Sequence, residues 1–149
     1  MKIRKAKICD AEKIAQNNVL MAKESEKINI EFKTTFDAVK NLISHPKNGF
    51  YVIVEDNNEI LGQLMITFEW SDWRNKQIWW IQSVYISKKM RRKGIFKNLF
   101  GKIKEMADDQ NVVELRLYVH NKNTNAIETY DHVGMKQAPY KFFQLNIQE

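Results

Sequence analysis

Between residues 78 and 120 the hydrophobic period changes twice within a short distance. IWWIQSVYI (78–86) reads as an apolar strand. From Ile95 to Asp109, residues Ile95, Phe96, Leu99, Phe100, Ile103 and Met106 recur at helical spacing. VVELRLYVH (112–120) then alternates, with Val113, Leu115, Leu117 and Val119 on one face. A strand, a helix and a strand with short connections place the two strands parallel through a right-handed crossover. That unit demands a sheet with helices packed on it, a mixed α/β (α+β) fold.

The remaining segments fill in an antiparallel first half. KIRKAKI (2–8) alternates apolar and charged residues and reads as a strand. Asp10 is placed to cap a helix over 11–23, with Ile14, Ala15 and Val19 or Met21 inward. ESEKINIEFKTT (24–35) is weakly periodic and reads as a loop, and a second helix follows Thr34 or Thr35 and stops at His45-Pro46. FYVIVE (50–55) and EILGQLMITFEW (59–70) are strands joined by Asp56-Asn57-Asn58, a hairpin signal. WSDWRNKQ turns into the strand 78–86. A last helix over 124–133 ends at Gly134, and a strand over 135–147 is expected to close the sheet. The expected architecture is a mostly antiparallel central sheet flanked by about four helices, in one domain over 1–149.

Charge is distributed unevenly. Ser87 to Lys104 carries eight cationic residues (Lys88, Lys89, Arg91, Arg92, Lys93, Lys97, Lys102, Lys104) and no acid. Removing these eight from the 24 basic residues leaves 16 against 18 acidic ones, a net of −2 for the rest of the chain. A single cationic stretch suggests one anionic ligand more than a broad nucleic-acid footprint. No apolar run approaches the roughly 18–20 residues of a membrane span, and MKIRKAKICD has no apolar core of an export signal. Cys9 is the only cysteine, and His45, His120 and His132 lack metal-ligand spacing, so no disulfide framework and no metal site are expected. A cytoplasmic protein is the default expectation.

Within the basic stretch, Gly94 stands behind Arg91, Arg92 and Lys93 at the start of the apolar-periodic helix. A helix's first turn offers unpaired N–H groups and the positive end of its dipole, and so holds phosphate. Glycine there lets backbone approach an anion without a Cβ in the way. The alternative is a solvated charge run before an ordinary helix. Glycines 49, 62, 94, 101 and 134 satisfy neither the Walker loop nor the dinucleotide fingerprint, so a phosphate site would be of another kind.

The segment and its surroundings resemble a known family. Arg91-Arg92-Lys93-Gly94-Ile95-Phe96 is similar to the pyrophosphate loop of the GNAT superfamily of acyl-CoA-dependent N-acyltransferases, Gln/Arg-x-x-Gly-x-Gly/Ala. Asn123, Ala126, Tyr130, Gly134 and Met135 match its Asn-x-x-Ala-x-x-x-Tyr-x-x-x-Gly-Phe/Met pattern. Order, separation and flanking elements fit over nearly all of the chain. Phe96 departs from the pattern, standing where Gly or Ala is usual. Trp70-Ser71-Asp72-Trp73-Arg74-Asn75 followed by Trp79-Trp80-Ile81-Gln82-Ser83-Val84-Tyr85 also resembles a bacterial subgroup of that superfamily.

The resemblance implies an acyltransferase of the class moving groups other than aminoacyl, with acetyl-CoA as cosubstrate and a primary amine attacking in a ternary complex. It implies that the parallel strands splay to admit the thioester. Backbone of Val84, Tyr85 and Ile86 would pair with the pantetheine arm, and amides of Arg91, Arg92, Lys93, Gly94, Ile95, Phe96 and Lys97 would hold the diphosphate. The Val84 amide would donate to the developing oxyanion, and Tyr130 would protonate the departing thiolate. Asn123 would either bond the cofactor or cap the last helix. Family members often have Glu at the position of Gln82, and Gln accepts no proton at neutral pH. Glu26, Glu24, Glu69 and Asp72 are the candidate bases. Trp70, Trp73, Trp79 and Trp80 are expected in core or dimer packing more than in a cation–π cage. The expected partner is a small-molecule or peptide amine, with no nucleic acid and no membrane, and with a homodimer as an option. A non-catalytic acyl-CoA sensor and a basic nucleic-acid-binding module are the alternatives.

Overall fold

The computed structural model describes residues 1–148. Five strands form one sheet in chain order: β1 (Lys2–Lys5), β2 (Gly49–Asp56), β3 (Glu59–Ser71), β4 (Lys76–Ile86) and β5 (Glu114–Arg116). The first four are antiparallel neighbours, and β4 pairs with β5 in parallel. The helices are α1 (Ala11–Glu26), α2 (Phe32–Ser44), α3 (Ile95–Asp109) and α4 (Thr124–His132). Asn57 and Asn58 both take positive φ, 50° and 63°, the combination that a tight two-residue hairpin between twisted strands requires.

Alternation along β2 divides the core into two layers. Val52 and Val54 join Leu64, Ile66, Trp79 and Ile81 beneath α3, which presents Ile95, Phe96, Leu99, Phe100, Ile103 and Ala107. Tyr51 and Ile53 face the other way, with Ile60, Ala11, Ile14 and Ala15 of α1 and Val39 of α2. Trp79 is fully buried, with the ring of Phe50 edge-on to it at 5.4 Å. One polar group is set deep under α1. Gln63 is also fully buried, and its amide is saturated by Asn17 Nδ2 donating at 2.9 Å and by its own Nε2 donating to Asn18 Oδ1 at 2.9 Å. A buried amide satisfied on both sides fixes α1 over β3 without an unpaired group.

Several boundaries differ from the expectations. α1 runs on to Glu26 and α2 begins at Phe32, so the expected loop over 24–35 shrinks to residues 27–31. Thr34 and Thr35 lie inside α2, and both hydroxyls donate back to Glu31, to its carboxylate at 2.6 Å and its carbonyl at 2.9 Å. Asp10 sits at the N-cap of α1 but makes no side-chain cap bond. Its carboxylate instead accepts from the Arg4 guanidinium at 2.8 and 3.0 Å and from the Lys7 N–H at 2.7 Å, charge-assisted bonds stronger than a cap. Cys9 is exposed in the short turn before α1.

The largest difference is at the end of the chain. The expected closing strand over 135–147 does not form: after Met135 N–H donates to Tyr130 O, the segment 136–148 makes no backbone–backbone hydrogen bond among the described residues. β5 explains why. Only Glu114, Leu115 and Arg116 are in the ladder, opposite Ile78, Trp79 and Trp80, so no long straight edge is available for a further strand.

Trp79→Ala removes the largest fully buried side chain, and the expected loss of stability is about 3–5 kcal/mol in urea unfolding. Trp73→Ala, at a position 92% exposed, is expected to stay within about 0.5 kcal/mol of the wild type in the same measurement.

Candidate active site

β4 is irregular where the sequence singled out Val84. Met65 of β3 pairs with Gln82, but Gln63 pairs with Tyr85, so Ser83 and Val84 together stand opposite Leu64. This is a bulge, and Ser83 takes the left-handed conformation at φ 52°. The extra residue changes which side chains share a face. Gln82 and Tyr85 point to the α1 side, while Val84 and Ile86 pack on the α3 side.

The other edge of β4 is open over the same stretch. Pairing with β5 ends at Trp80, and among the described residues no strand lies beside 81–86 on that edge. β4 thus leads, through an open edge, to a turn at its carboxyl end. In that turn Arg92 and Gly94 both take positive φ, 62° and 79°, and Gly94 is the N-cap of α3. Such left-handed residues aim backbone N–H groups into a concave nest. The glycine is needed first for its backbone angle. A Cβ built on it meets nothing within 4 Å, so the space over the helix start is open. Ser87, at the base of this turn, has a buried hydroxyl with no partner among the described residues. An anion fits these features: open space, a helix N-terminus, a positive surround and an unpaired buried hydroxyl.

The cations of the loop are not equivalent. Arg91 donates from Nη2 to Glu24 Oε2 at 2.7 Å and from Nε to Ile86 O at 2.9 Å, and its guanidinium lies 5.4 Å from the Tyr85 ring centroid. Arg91 therefore ties the loop to the last turns of α1. Lys89 is paired with Glu59 at 2.8 Å. Arg92, Lys93 and Lys97 have no ion-pair partner among the described residues.

Phe96, the departure from the usual loop, turns its side chain into the core. There it meets the Tyr130 ring edge-on at 5.5 Å and Phe100 at 5.8 Å. Burial pushes the Tyr130 phenol above its ordinary range. Asn123 caps α4, its Oδ1 accepting from the Ala126 N–H at 3.2 Å, which is one of the two roles expected of it.

The acids are scattered. Glu24 is held by Arg91, Glu26 is exposed at the end of α1, and Glu69 accepts from Trp80 Nε1 at 2.7 Å and from Arg116 Nη1 at 3.1 Å. Asp72 is exposed in the turn between β3 and β4, at the opposite end of β4 from the bulge, so the structure does not bring it to the open edge. Gln82 donates to Thr67 Oγ1 at 2.9 Å and offers no proton acceptor. Of the tryptophans, Trp79 is core and Trp80 lines the sheet, whereas Trp70 and Trp73 are exposed. No group of three His, Cys, Asp or Glu residues able to hold a metal occurs among the described residues. The sequence reading missed the Arg91–Glu24 tie and the Ser87 hydroxyl, and no local pattern signals either.

This combination can be set beside known proteins. The acetyltransferase (GNAT) family profile matches residues 17–135. The chain belongs to the GNAT acetyltransferase family. The GNAT fold is present as a five-stranded mixed sheet, antiparallel except for β4–β5, with four helices. A possible acetyltransferase from Clostridium difficile 630 superimposes with a TM-score of 0.92 at 39% identity, covering 99% of this chain and 98% of that one. A predicted acetyltransferase with acetyl-CoA from Clostridium acetobutylicum has a TM-score of 0.80 at 19% identity over 98% of this chain and 96% of that one, a likeness of fold. Among curated relatives, thialysine N-epsilon-acetyltransferase from Caenorhabditis elegans is 29% identical over 94 residues, 63% of this chain and 57% of its own. The Bos taurus enzyme of that name is 28% identical over 75 residues, 50% of this chain and 44% of its own. The chain thus spans about half the length of the curated relatives it matches. Among the described residues of the GNAT chain, no helix is long and apolar enough to cross a membrane.

Burial raises the phenols of Tyr51, Tyr85 and Tyr130, so the fold favours their neutral form. Stability is therefore expected to be unaffected below the ordinary phenol range and to fall as pH rises through it, where the unfolded chain ionises first. An ultraviolet titration checks this: the wild type shows a late-ionising class of tyrosines, and Tyr130→Phe removes one member of it.

Proposed function

We propose that this chain moves an acetyl group from acetyl-CoA to a primary amine of a small molecule or peptide, by direct attack in a ternary complex. The observation that carries this reading is the open edge of β4, which continues from Trp80 to Ile86 and into the basic start of α3. When bound, the thioester supplies the electrophilic acyl carbon. The chain's residues supply position and charge.

Under this reading backbone groups of Val84, Tyr85 and Ile86 hold the pantetheine arm along the open edge, as an added strand would. Amides from Arg91 to Lys97 hold the diphosphate at the N-terminus of α3, with Arg92, Lys93 and Lys97 supplying charge. Arg91 positions the loop through Glu24. Val84, taken out of register by the bulge, donates its N–H to the acyl oxygen, a contact typically worth about 2.7–4 kcal/mol. Tyr130, kept neutral by burial and oriented by Phe96, gives its proton to the departing thiolate. Asn123 spends its oxygen on the cap and retains its two N–H donors for the cofactor.

Gln82 is no base. Glu26, exposed two residues beyond the tied Glu24, takes the amine's proton through water. The names of the curated relatives describe acetylation of an amine nitrogen, which supports an amine acceptor here. A second reading, an acyl-CoA sensor without turnover, is favoured by one observation: the Gln82 amide is already bonded to Thr67 where an acid is usual. Thiol release from acetyl-CoA over a panel of amines separates the two.

Gly94→Glu places a carboxylate and a strained backbone angle over the helix start, and calorimetry is expected to register no acetyl-CoA binding while circular dichroism is unchanged. Unaltered affinity would remove the loop from the site. Tyr130→Phe is expected to lower kcat by about 10²–10⁴-fold with cofactor affinity preserved. Turnover at the wild-type rate would exclude the phenol as the acid.

A further inference from the structure

On the sheet face opposite α3, polar and aromatic side chains gather beyond the residues that α1 and α2 cover. Trp79 and Ile81 belong to the α3 layer, so alternation turns Trp80 and Gln82 the other way. Their contacts agree: Gln82 Nε2 donates to Thr67 Oγ1 at 2.9 Å, and Trp80 Nε1 donates to Glu69 Oε1 at 2.7 Å. Tyr118 meets the Trp80 ring edge-on at 6.1 Å. Thr67, Glu69, Trp80, Gln82 and Arg116 are half-buried, and Tyr118 is exposed.

Four charged side chains alternate in sign across this face. Arg74 Nη2 donates to Glu114 Oε1 at 2.7 Å, Arg116 Nε donates to Glu114 Oε2, and Arg116 Nη1 donates to Glu69 Oε2 at 3.1 Å. The Arg116 guanidinium is thus held at two nitrogens, while its Nη2 has no partner among the described residues. Two cations and two anions sum to zero, so the row favours neither a plain anion nor a plain cation. A group bearing both charges continues the alternation, its carboxylate on the free Nη2 edge and its ammonium on Glu69.

We propose that the acceptor is a free α-amino acid with a primary amine at the end of its side chain, its head group held by Arg116 and Glu69. This deepens the acyl-transfer reading and rests on it. Tyr130 packs in the α3 layer, so the thiolate leaves on that side and the amine approaches from the opposite face. Trp80, opposite Arg116 in the ladder, precedes Val84 by about 10–13 Å of bulged strand. Contacts of about 3 Å at each end leave room for about three to five carbons, the size of ornithine or lysine. The Trp80 ring walls these methylenes, and Gln82 and Thr67 set no charge beside the reacting nitrogen. That nitrogen bonds to the acyl carbon as the C–S bond breaks; its proton passes toward Glu26, and that of Tyr130 goes to the thiolate.

Thiol release from acetyl-CoA is measured with lysine, ornithine, cadaverine (lysine without its carboxylate) and ε-aminocaproate (lysine without its α-amine). The wild type is expected to show kcat/KM for lysine or ornithine at least about tenfold above either truncated analogue. Arg116→Gln is expected to raise KM for lysine at least about tenfold, to change kcat far less, and to abolish the preference over cadaverine. Glu69→Gln is expected to abolish the preference over ε-aminocaproate. Circular dichroism and acetyl-CoA calorimetry verify that both variants fold, and the analogue series decides without any variant. Equal turnover of all four amines by the wild type overturns the head-group site and leaves acyl transfer standing. So does a lysine preference that survives Arg116→Gln. If no amine releases thiol, acyl transfer falls, and calorimetry of lysine into the wild type with CoA decides the site. Heat that Arg116→Gln removes upholds it; absence of heat overturns it.

Discussion

Burial of one face of α3 against the sheet fixes the geometry of the whole β4 end. Leu99 and Ile103 are fully buried there, over Trp79, Leu64 and Ile66. A fifteen-residue helix with a glycine inside it is marginal in water alone, so its position and order come from this packing. Two consequences reach the site. The start of α3 is held at the carboxyl end of β4, which sets the direction of the amides beyond Gly94. Phe96, in the same buried face, carries the Tyr130 ring edge-on and so places the phenol on α4 relative to the loop. The proposed anion grip and the proposed acid are thus positioned by one helix face.

Electrostatics around the loop are more economical than the charge run suggests. Arg91 and Lys89 are engaged with Glu24 and Glu59, and Lys102 lies 3.7 Å from Glu105 on the outer face of α3. The Arg91 pair is partly solvated and contributes at most about 1 kcal/mol. Its value is geometric: it joins the last turns of α1 to the turn after β4, while the same guanidinium covers Tyr85.

Much of this was legible in the sequence where local periodicity carried the signal. The helical spacing from Ile95 and the alternation of VVELRLYVH gave the parallel crossover, and Asp56-Asn57-Asn58 gave the hairpin. The sequence left Asn123 between capping α4 and bonding a cofactor, and only the structure shows the cap. What depended on distant partners was not legible. Arg91 shows as a charge, but Glu24 lies 67 residues away. Asp10 has the right type and place for a cap, yet Arg4 and Lys7 bind it more strongly. The strand expected over 135–147 needed a partner edge that its own residues do not reveal, and β5 is only three residues long. The bulge at Ser83 has no glycine to announce it; two well-packed flanks impose it.

That bulge shifts the reading frame of the pleat. Upstream of Ser83, Trp79 and Ile81 supply the α3 layer; downstream, even-numbered Val84 and Ile86 do. Deleting one residue here would not merely straighten β4. It would exchange the phenol of Tyr85 with two aliphatic side chains across the sheet, spoiling both layers together. The left-handed serine is therefore locked in by oil on either side, and this irregularity persists for reasons of packing whether or not any chemistry takes place beside it.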